Sequence, residues 1–391
     1  MKKILFPLLA AAMLTACTHQ TAQTEKDMHQ LSFNEQQAAC MTAIAANEAK
    51  GGASPDGTGE AASAKGGLYF AIEEGLEADL TVSQIKEALS HLYAYTGFPR
   101  SLNALGTLQR VIGDRQAKGA KVLMGEEPSP LPDDYDALKQ GTAVQTELTG
   151  RVFNYDFAPA TDYYLKAHLF GDIFARDNLT YADRELVTVS ALSAMQGVEP
   201  QLAAHINGAR NMGVTEEQLQ GIVVALATQV GFEEAGRLAK IYDDLSKQEL
   251  STSNSETSFN SQLSTFNFLW PQGQPNEKYA QFFVGQSHLH PYAGISNVTF
   301  EPRCRNNWHI HHGAVQVLIC VSGKGWYQEW GKPAVPLTPG TVIAIPEGVK
   351  HWHGAATDSW MQHLALHTQE HPEASNEWLE PVSDEQYNQV K

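Results

Sequence analysis

Three histidines, His309, His311 and His312, lie within four positions of the stretch NNWHIHHGAV (306–315), which has the character of β-structure. Successive side chains on a strand point to opposite faces, so His309 and His311 share one face and His312 lies on the other. Two imidazoles two residues apart can both reach one ion. The spacing therefore predicts a metal site that uses two of the three histidines.

Gln316 is a lone polar residue in the apolar stretch VQVLICV, five residues after His311. A buried amide among apolar neighbours requires a polar partner, and a metal ion would supply one. The next hairpin, GTVIAIPEGVKHWHG (340–354), offers a fourth candidate ligand in His351.

These spacings, H-x-H-x4-Q-x6-G from His309 and G-x5-P-x-G-x2-H ending at His351, resemble both motifs of the cupin family over residues 296–367. Gln316 stands where many cupins have glutamate, which is similar to the bacterial hydroxynitrile-lyase-like subgroup. The resemblance implies a His3Gln metal site, often with manganese or iron, and two catalytic histidines beside it. The implied metal ligands are His309, His311, Gln316 and His351, and the implied catalytic residues are His353 and His363.

The donor set has a chemical consequence, because three neutral imidazoles and an amide leave the charge of about +2 on a bound ion uncompensated. The ion is then a stronger Lewis acid toward cyanide, an enolate or an alkoxide than it would be with a glutamate ligand. Such donors suit divalent transition metals and leave manganese, iron, cobalt, nickel and zinc all possible. The resemblance favours manganese or iron. His353 shares strand parity with His351 and is placed to act as a base.

Four aromatic residues near the candidate ligands allow two interpretations. They either wall an apolar substrate pocket or pack in the core of the barrel. These residues are Trp308, Trp326, Tyr327 and Trp352.

The N-terminal part contains two segments that repeat at a constant offset of 134 residues, LTVSQIKEALSHLYAYTGF (80–98) and VTEEQLQGIVVALATQVGF (214–232). Each opens with a capping box, at Thr81 in the first segment and at Thr215 in the second. Each continues with apolar residues at helical spacing. The pattern predicts a duplicated helical unit.

The segment RELVTVSALSAMQGVEPQLAAHINGARNMGVTEEQL (184–219) resembles the carboxymuconolactone decarboxylase and alkylhydroperoxidase D-like family. The resemblance covers most of 35–245 as two copies and implies an all-α fold that commonly oligomerises, with Glu185 and His205 as catalytic acid–base groups. The chain has no CxxC motif, which excludes thiol peroxidase chemistry. By the same offset Ala71 takes the place of His205 in the first copy, so at most one copy is active. The alternative is a purely structural hydrogen bond between His205 and Glu185.

After about residue 266 the hydrophobic pattern changes to a period of two with Gly/Pro turns, which predicts a small antiparallel jelly-roll barrel. The chain is therefore predicted to be multi-domain, an all-α duplicated helical domain followed by an all-β cupin. The predicted divisions are a lipoprotein signal peptide (1–16), a tether (17–34), a degenerate repeat 1 (35–121), a linker (122–150), repeat 2 (151–245), a second linker (246–265) and the cupin (266–385).

The beginning of the sequence, MKKILFPLLAAAMLTACTHQ, combines two lysines with an apolar run too short to span a bilayer. Leu14-Thr15-Ala16-Cys17 resembles the lipobox of bacterial lipoprotein signal peptides, which implies cleavage before Cys17 and lipidation of that residue. Thr18, rather than aspartate, follows and favours the outer membrane. The expected location is the periplasm with a lipid anchor; the alternative is an ordinary signal peptide in which Cys17 is incidental.

The formal net charge is −17 over 391 residues and becomes −19 without the two signal-peptide lysines. Such a surface repels nucleic acid and anionic lipid headgroups. Four cysteines are too few for a disulfide scaffold. The expected partners are a small-molecule substrate and further copies in a homo-oligomer, with no nucleic acid and with the membrane contacted only through the lipid anchor.

Three functional interpretations are open on the sequence alone. The first is a metal-dependent lyase that acts on a small carbonyl or cyanohydrin-like substrate. The second is an iron-dependent cupin dioxygenase or isomerase. The third is a non-catalytic oligomer that binds a small ligand.

Overall fold

The computed structural model describes residues 28–51, 67–253, 270–292 and 294–390. The expected signal peptide and Cys17 lie outside these ranges. The chain divides into two compact units between Ala225 and Leu226. None of the described helices is long and apolar enough to cross a membrane.

The first unit consists of helices, as the sequence predicts. In chain order the described helices are α1 (Glu35–Ala49), α2 (Leu68–Glu77), α3 (Val82–His91), α4 (Tyr93–Thr96), α5 (Phe98–Ala117), α6 (Ala137–Thr149), α7 (Pro159–Tyr163), a π-helix (Tyr164–Ile173), α8 (Tyr181–Ser193), α9 (Glu199–Asn211) and α10 (Glu216–Gln229), the last of which crosses the division between the units.

Helix α8 lies at the centre of the first unit, because all of its residues from Ala182 to Ser193 are buried. It packs against α1 and α9. Thr180 caps its N-terminus by accepting a hydrogen bond from the backbone of Asp183 at 3.0 Å. The charged residues Arg184 and Glu185 are carried into the interior on this helix and therefore need partners there.

The helix boundaries agree with the 134-residue offset. Helices α3 and α10 begin at Val82 and Glu216, and each is capped by the threonine that precedes it, Thr81 or Thr215. A capping threonine satisfies a backbone N–H that the first turn leaves free. The membership of the first copy in the same family stays a prediction.

A buried ion cluster joins α3 to α8. Glu87 on α3 accepts a hydrogen bond from Nη2 of Arg184 at 3.0 Å, and from Nε of Arg176 at 3.0 and 2.9 Å. Arg184 is fully buried and Glu87 nearly so. Because a buried guanidinium needs a counter-charge, this cluster fixes α3 against α8.

The second unit contains two antiparallel sheets, which confirms the predicted all-β domain after a helical region. One sheet has the order β1-β3-β4-β12-β7-β10, and the other has β13-β6-β11-β5-β2, with β8 on β11 and β9 on β8. The strands are β1 (Gln274–Pro275), β2 (Phe283–Val284), β3 (Ser287–Tyr292), β4 (Ile295–Phe300), β5 (Arg305–Asn306), β6 (His309–His312), β7 (Val315–Gly323), β8 (Gly325–Glu329), β9 (Val335–Leu337), β10 (Val342–Ile345), β11 (His351–Ala355), β12 (Met361–Thr368) and β13 (Ser375–Trp378).

A long helix, α11 (Phe232–Ser253), packs against β7 and β10 in the second unit. The approach is close at Gly236, where a Cβ would lie 2.9 Å from the carbonyl oxygen of Gly340. Strand β7 is buried on both faces, inside the barrel and beneath α11, which explains its nearly continuous apolar sequence.

Three predicted connecting segments differ from the structure. Helix α11 continues to Ser253, into the predicted linker 246–265, and α6 lies within the predicted linker 122–150. The end of the predicted tether 17–34 is packed, because Ser32 donates two hydrogen bonds to Asp183, at 2.8 and 2.6 Å. Polar composition in 17–34 and 246–265, and three prolines between 128 and 132, are typical of connecting segments. Helix formation and tertiary contacts override these local signals. The division of the whole chain into domains stays a prediction.

A charge-neutralising substitution at Glu87 tests the ion cluster. We expect Glu87→Gln to lower the free energy of unfolding by roughly 3 to 5 kcal/mol, because Arg184 is left without its counter-charge. The matched control is Glu127→Gln, which breaks an exposed pair with Lys86 and should cost about 1 kcal/mol or less. Urea unfolding followed by circular dichroism measures both; equal losses in the two variants would contradict the assignment.

Candidate functional site

His309 and His311 on β6 and His351 on β11 come together inside the barrel. Strands β6 and β11 pair with His309 opposite His351. The candidate ligand atoms of the three residues lie within 4.8 Å of one another, and all three side chains are buried. His312 points outward and pairs with Glu377 at 2.8 Å, as strand alternation predicts.

The three imidazoles are all held in the same tautomer. Their Nδ1 atoms face acceptors only: the carbonyl of Asn307 for His309 at 2.9 Å, the amide oxygen of Asn376 for His311 at 2.5 Å, and the carbonyl of Val349 for His351 at 2.9 Å. The proton is therefore on Nδ1, and Nε2 presents a lone pair, which is the arrangement of metal-bound histidines. These acceptors orient the three rings and keep each proton on Nδ1.

Gln316 faces the same point from β7, in the other sheet. Its Oε1 lies 3.2 Å from Nε2 of His351. Since both atoms present lone pairs, a cation between them satisfies both. Nε2 of His311 is also buried without a completed hydrogen bond. The donor set fits a divalent metal ion.

Burial also holds the three imidazoles in the state that binds a metal. Desolvation lowers the pKa of His309 well below its usual range, that of His351 to about 4, and that of His311 as well. All three are neutral at neutral pH, and only a neutral imidazole can coordinate an ion.

His353 and His363 lie beside these ligands, on a cavity of about 440 Å³ that His309, His311 and Gln316 also line. Their rings are 4.9 Å apart, and the His353 ring is 5.7 Å from that of His309. Desolvation lowers both pKa values, that of His363 to about 3. The structure brings together all six residues predicted for the cupin; the catalytic roles of His353 and His363 stay a prediction.

Asn306 fixes the tautomer of His353. Its side-chain oxygen accepts the backbone N–H of His353, so its Nδ2 donates to Nε2 of the same ring, each at 2.9 Å. The proton of His353 is consequently on Nδ1, which has no protein partner, and neither ring nitrogen of His363 has one. Buried polar atoms of this kind are available to a ligand.

The aromatic residues that line the cavity are not the four that the sequence analysis considers. Trp308 and Trp352 pack with Val382 and Tyr387 in a separate cluster, to which Trp326 adds. Trp352 lies between two inward-facing histidines on β11 and therefore points outward. These three tryptophans therefore pack outside the barrel core, and none of them lines the cavity beside the candidate ligands. Trp308 and Trp326 line a separate cavity instead. Tyr327 points inward and packs in the barrel core. The residues that do line the cavity include Tyr279, Phe283, Tyr292, Phe300 and Trp378.

Sequence spacing missed several site residues. Strand β13 pairs with β6, which sets Asn376 opposite His311 and Trp378 opposite His309. The Trp378 ring stacks on His309 at 4.8 Å. His367 lines the cavity with its ring 4.9 Å from that of His311. These residues lie outside both motifs, so only strand pairing identifies them.

In the helical unit, Glu185 on α8 and His205 on α9 meet as predicted. Nδ1 of His205 is 2.8 Å from Oε2 of Glu185. Glu185 is fully buried, and the His205 side chain is 12% exposed. The structure joins the two side chains, and their catalytic roles stay a prediction.

Two family models match this chain. Residues 159–244 match the Carboxymuconolactone decarboxylase family and residues 296–366 match the Cupin domain. Both matches fall where the sequence resemblance placed them, although a second copy of the helical domain is not matched.

Among curated proteins, the (R)-mandelonitrile lyase of Granulicella tundricola is 40% identical over 117 residues, which are 28% of this chain and 87% of that protein. Peroxisomal protein 2 of Saccharomyces cerevisiae is 28% identical over 89 residues, 22% of this chain and 31% of that protein. Among solved structures, a cupin-like protein of Thermotoga maritima is 37% identical, covering 31% of this chain and 96% of that chain with a TM-score of 0.29.

Removing one of the acceptors that bind Nδ1–H tests the assigned tautomer. We expect Asn376→Leu to weaken metal affinity by roughly 10- to 100-fold, because Nδ1 of His311 loses the acceptor that orients the ring. The neighbouring control, Glu377→Gln, affects only the exposed pair with His312 and should leave affinity unchanged. Competition with a chromogenic chelator for Zn²⁺ measures both affinities, and equal values in the two variants would show that Asn376 does not orient His311.

Because His363 is buried in its uncharged form, we expect acid to destabilise the fold. Its folded pKa, about 3, lies below the unfolded value of about 6.5, so the stability is complete above pH 6.5 and declines as pH falls toward 3. In metal-free protein, His363→Phe should reduce the loss of unfolding free energy between pH 7 and pH 5 by roughly 2 kcal/mol. Urea unfolding at the two pH values measures it. A decline as steep as in the wild type would show that His363 is not buried neutral.

Proposed function

We propose that this chain, which belongs to the cupin family through its sheet domain, is a metal-dependent lyase. Its substrate would be a small carbonyl or cyanohydrin-like compound, as the similarity to the (R)-mandelonitrile lyase supports. The single observation that carries the proposal is the convergence of three Nε2 lone pairs and the Gln316 oxygen on one point.

The proposed ligands are His309, His311, Gln316 and His351, with manganese or iron as the favoured ion. A bound divalent ion supplies Lewis acidity toward the oxygen of the substrate. Because all four ligands are neutral, none of them reduces the charge of the ion. The low polarity of the buried site strengthens the interaction of that charge with an anion.

His353 and His363 provide the proposed proton transfers. A ring nitrogen of neutral His363 takes the hydroxyl proton of the cyanohydrin. The electron pair of the former O–H bond forms the carbonyl π bond, while the C–C bond breaks and its electron pair leaves with cyanide. Nδ1–H of His353, a residue that lines the cavity, donates a hydrogen bond to the departing cyanide. Cyanide takes the proton now held by His363 and leaves as hydrogen cyanide, which returns both imidazoles to their neutral forms.

The aromatic wall supports a substrate with an apolar substituent. Phe300 stacks on His363 at 5.4 Å and Trp378 stacks on His309. An aromatic or branched aliphatic group against this wall orients the reacting carbon toward the histidines.

Metal loading and turnover test the proposal together, with mandelonitrile as the probe. Protein spanning 18–391 is loaded with Mn²⁺ or Fe²⁺, and benzaldehyde release is followed by absorbance. We expect His309→Ala and Gln316→Ala to lose bound metal and to lower the rate by roughly 100-fold or more, because the Lewis acid is absent. Removing the metal from the wild type with a chelator should have the same effect. His312→Ala, on the outer face of the same strand, is the control.

A second substitution at Gln316 separates metal binding from metal charge. Gln316→Glu should keep the metal and lower the rate, because a carboxylate reduces the net charge of the centre. Stoichiometric metal without turnover of mandelonitrile would sink the lyase proposal and favour ligand binding. Oxygen uptake that depends on ferrous iron would favour the dioxygenase instead.

Location and assembly are part of the proposal. We propose a periplasmic protein held at a membrane, with the outer membrane favoured, by lipidated Cys17, and assembled into a homo-oligomer through its helical unit. In bacterial cells, Cys17→Ser should release the protein from the membrane fraction. Retention of the variant there would rule out the lipid anchor.

A further inference from the structure

A second cavity, of about 560 Å³, lies on the outer face of the sheet that carries the three candidate histidine ligands. Trp326 and Gln328 point outward into it from β8, and Trp308 and Trp330 complete its aromatic lining. None of the described residues that line it also lines the cavity beside the candidate metal centre. Its volume lies within the range of small-molecule sites, roughly 300 to 1,000 Å³.

Trp308 and Trp330 form a corner in this cavity, here called the tryptophan corner. Their ring centroids are 4.9 Å apart, and the two ring planes meet at 76°. The Trp308 side chain is buried, whereas Trp330 is 53% exposed, so a flat apolar surface is left in contact with water. A ligand ring that stacks on Trp330 would cover this surface and would meet Trp308 with its own edge.

Trp308 also brings an unpaired donor to the cavity. Its Nε1–H is buried and completes no hydrogen bond within the part of the chain that the structure describes. The neighbouring indole of Trp352 is satisfied, because it donates to Oε1 of Gln328 at 2.9 Å. A buried donor without a partner is energetically costly, and a hydroxyl oxygen of a ligand in the cavity would accept the Trp308 bond.

The lining of the cavity favours a neutral ligand. All described residues that line it are uncharged, and its polar side chains include the amides of Gln386 and Gln389 on the C-terminal helix α12 (Asp384–Gln389). An anion would therefore find no cation in this lining. A cation would be repelled, because Nζ of Lys350 already lies 3.6 Å from the centre of the Trp330 ring.

A third cavity, of about 460 Å³, adjoins the second, since Trp326 and Val390 line both. Its polar lining carries no net charge and consists of Lys324, Thr338, Thr357, Asp358, Tyr387 and Asn388. Two adjoining cavities on either side of one indole suit a chain of linked rings better than a single compact molecule.

We propose that the tryptophan corner and the adjoining cavity bind a neutral, β-linked oligosaccharide whose hydroxyl groups are equatorial. Both faces of such a sugar ring carry only C–H groups, which stack on the exposed indole of Trp330. The hydroxyl groups project from the edge of the ring, where Nε1–H of Trp308 and the amides of Gln386 and Gln389 can bind them. An equatorial linkage keeps the chain extended, so that successive rings pass from one cavity to the next. This binding site is separate from the proposed lyase centre.

Calorimetric titration of the full chain with cellotriose, a β-linked glucose trimer, tests this site. We expect a dissociation constant of roughly 1 mM or below. Trp330→Ala should weaken binding by roughly 10-fold or more, because the stacking surface is lost. Trp330→Phe keeps a ring and should retain most of the affinity. The control is Phe157→Ala, at an exposed aromatic residue of the helical unit, which should bind like the wild type.

A milder substitution keeps the test decisive if Trp330→Ala perturbs the fold. Gln389→Ala removes only an exposed amide at the cavity and should weaken binding by roughly 3- to 10-fold. The proposal is overturned if the wild type does not bind cellotriose, or if Trp330→Ala and Gln389→Ala both bind it like the wild type. It is also overturned if a proline-rich peptide binds in place of the sugar. Dissociation of an oligomer by Trp330→Ala with sugar binding intact would overturn it as well, because the face would then join copies of the chain.

Discussion

The antiparallel pairing of β6 with β11 sets His309 opposite His351, and the candidate metal centre depends on this register. A slip of one residue would turn the inward set of side chains outward, because strand side chains alternate. The register is held from both sides: β13 pairs with β6, and β8 pairs with β11. The centre is then completed across the barrel by Gln316, on a strand of the other sheet.

Burial gives these neutral donors their chemical character. Desolvation keeps the histidines unprotonated, and backbone or amide acceptors hold each proton on Nδ1. The same burial leaves His311, His353 and His363 with nitrogen atoms that no protein group satisfies. The barrel therefore bears an energetic cost at one place in its interior, and such a cost is typical of a binding site rather than of a packed core.

A different electrostatic constraint organises the helical unit. Arg184 is buried beside Glu185 on α8, and it takes its counter-charge from Glu87 on α3. That pairing brings the first half of the unit against the second, and with it His91 and Tyr95 against Glu185. The first half of the helical unit thus places two residues with polar side-chain groups near Glu185 in the second half.

The sequence by itself determined the four candidate ligands, the outward position of His312, the change from helix to strand and the caps at Thr81 and Thr215. The full ligand set is what the resemblance to the cupin family implies. The other features follow from local periodicity or short spacing, which the chain carries wherever it folds. Only the tertiary structure decided the rest: Asn376 and Trp378 beside the ligands, His91 and Tyr95 beside Glu185, the outward tryptophans and the packing of α11 on β7. Those contacts join segments distant in the chain, and they are selected by burial and pairing energies that local patterns do not encode.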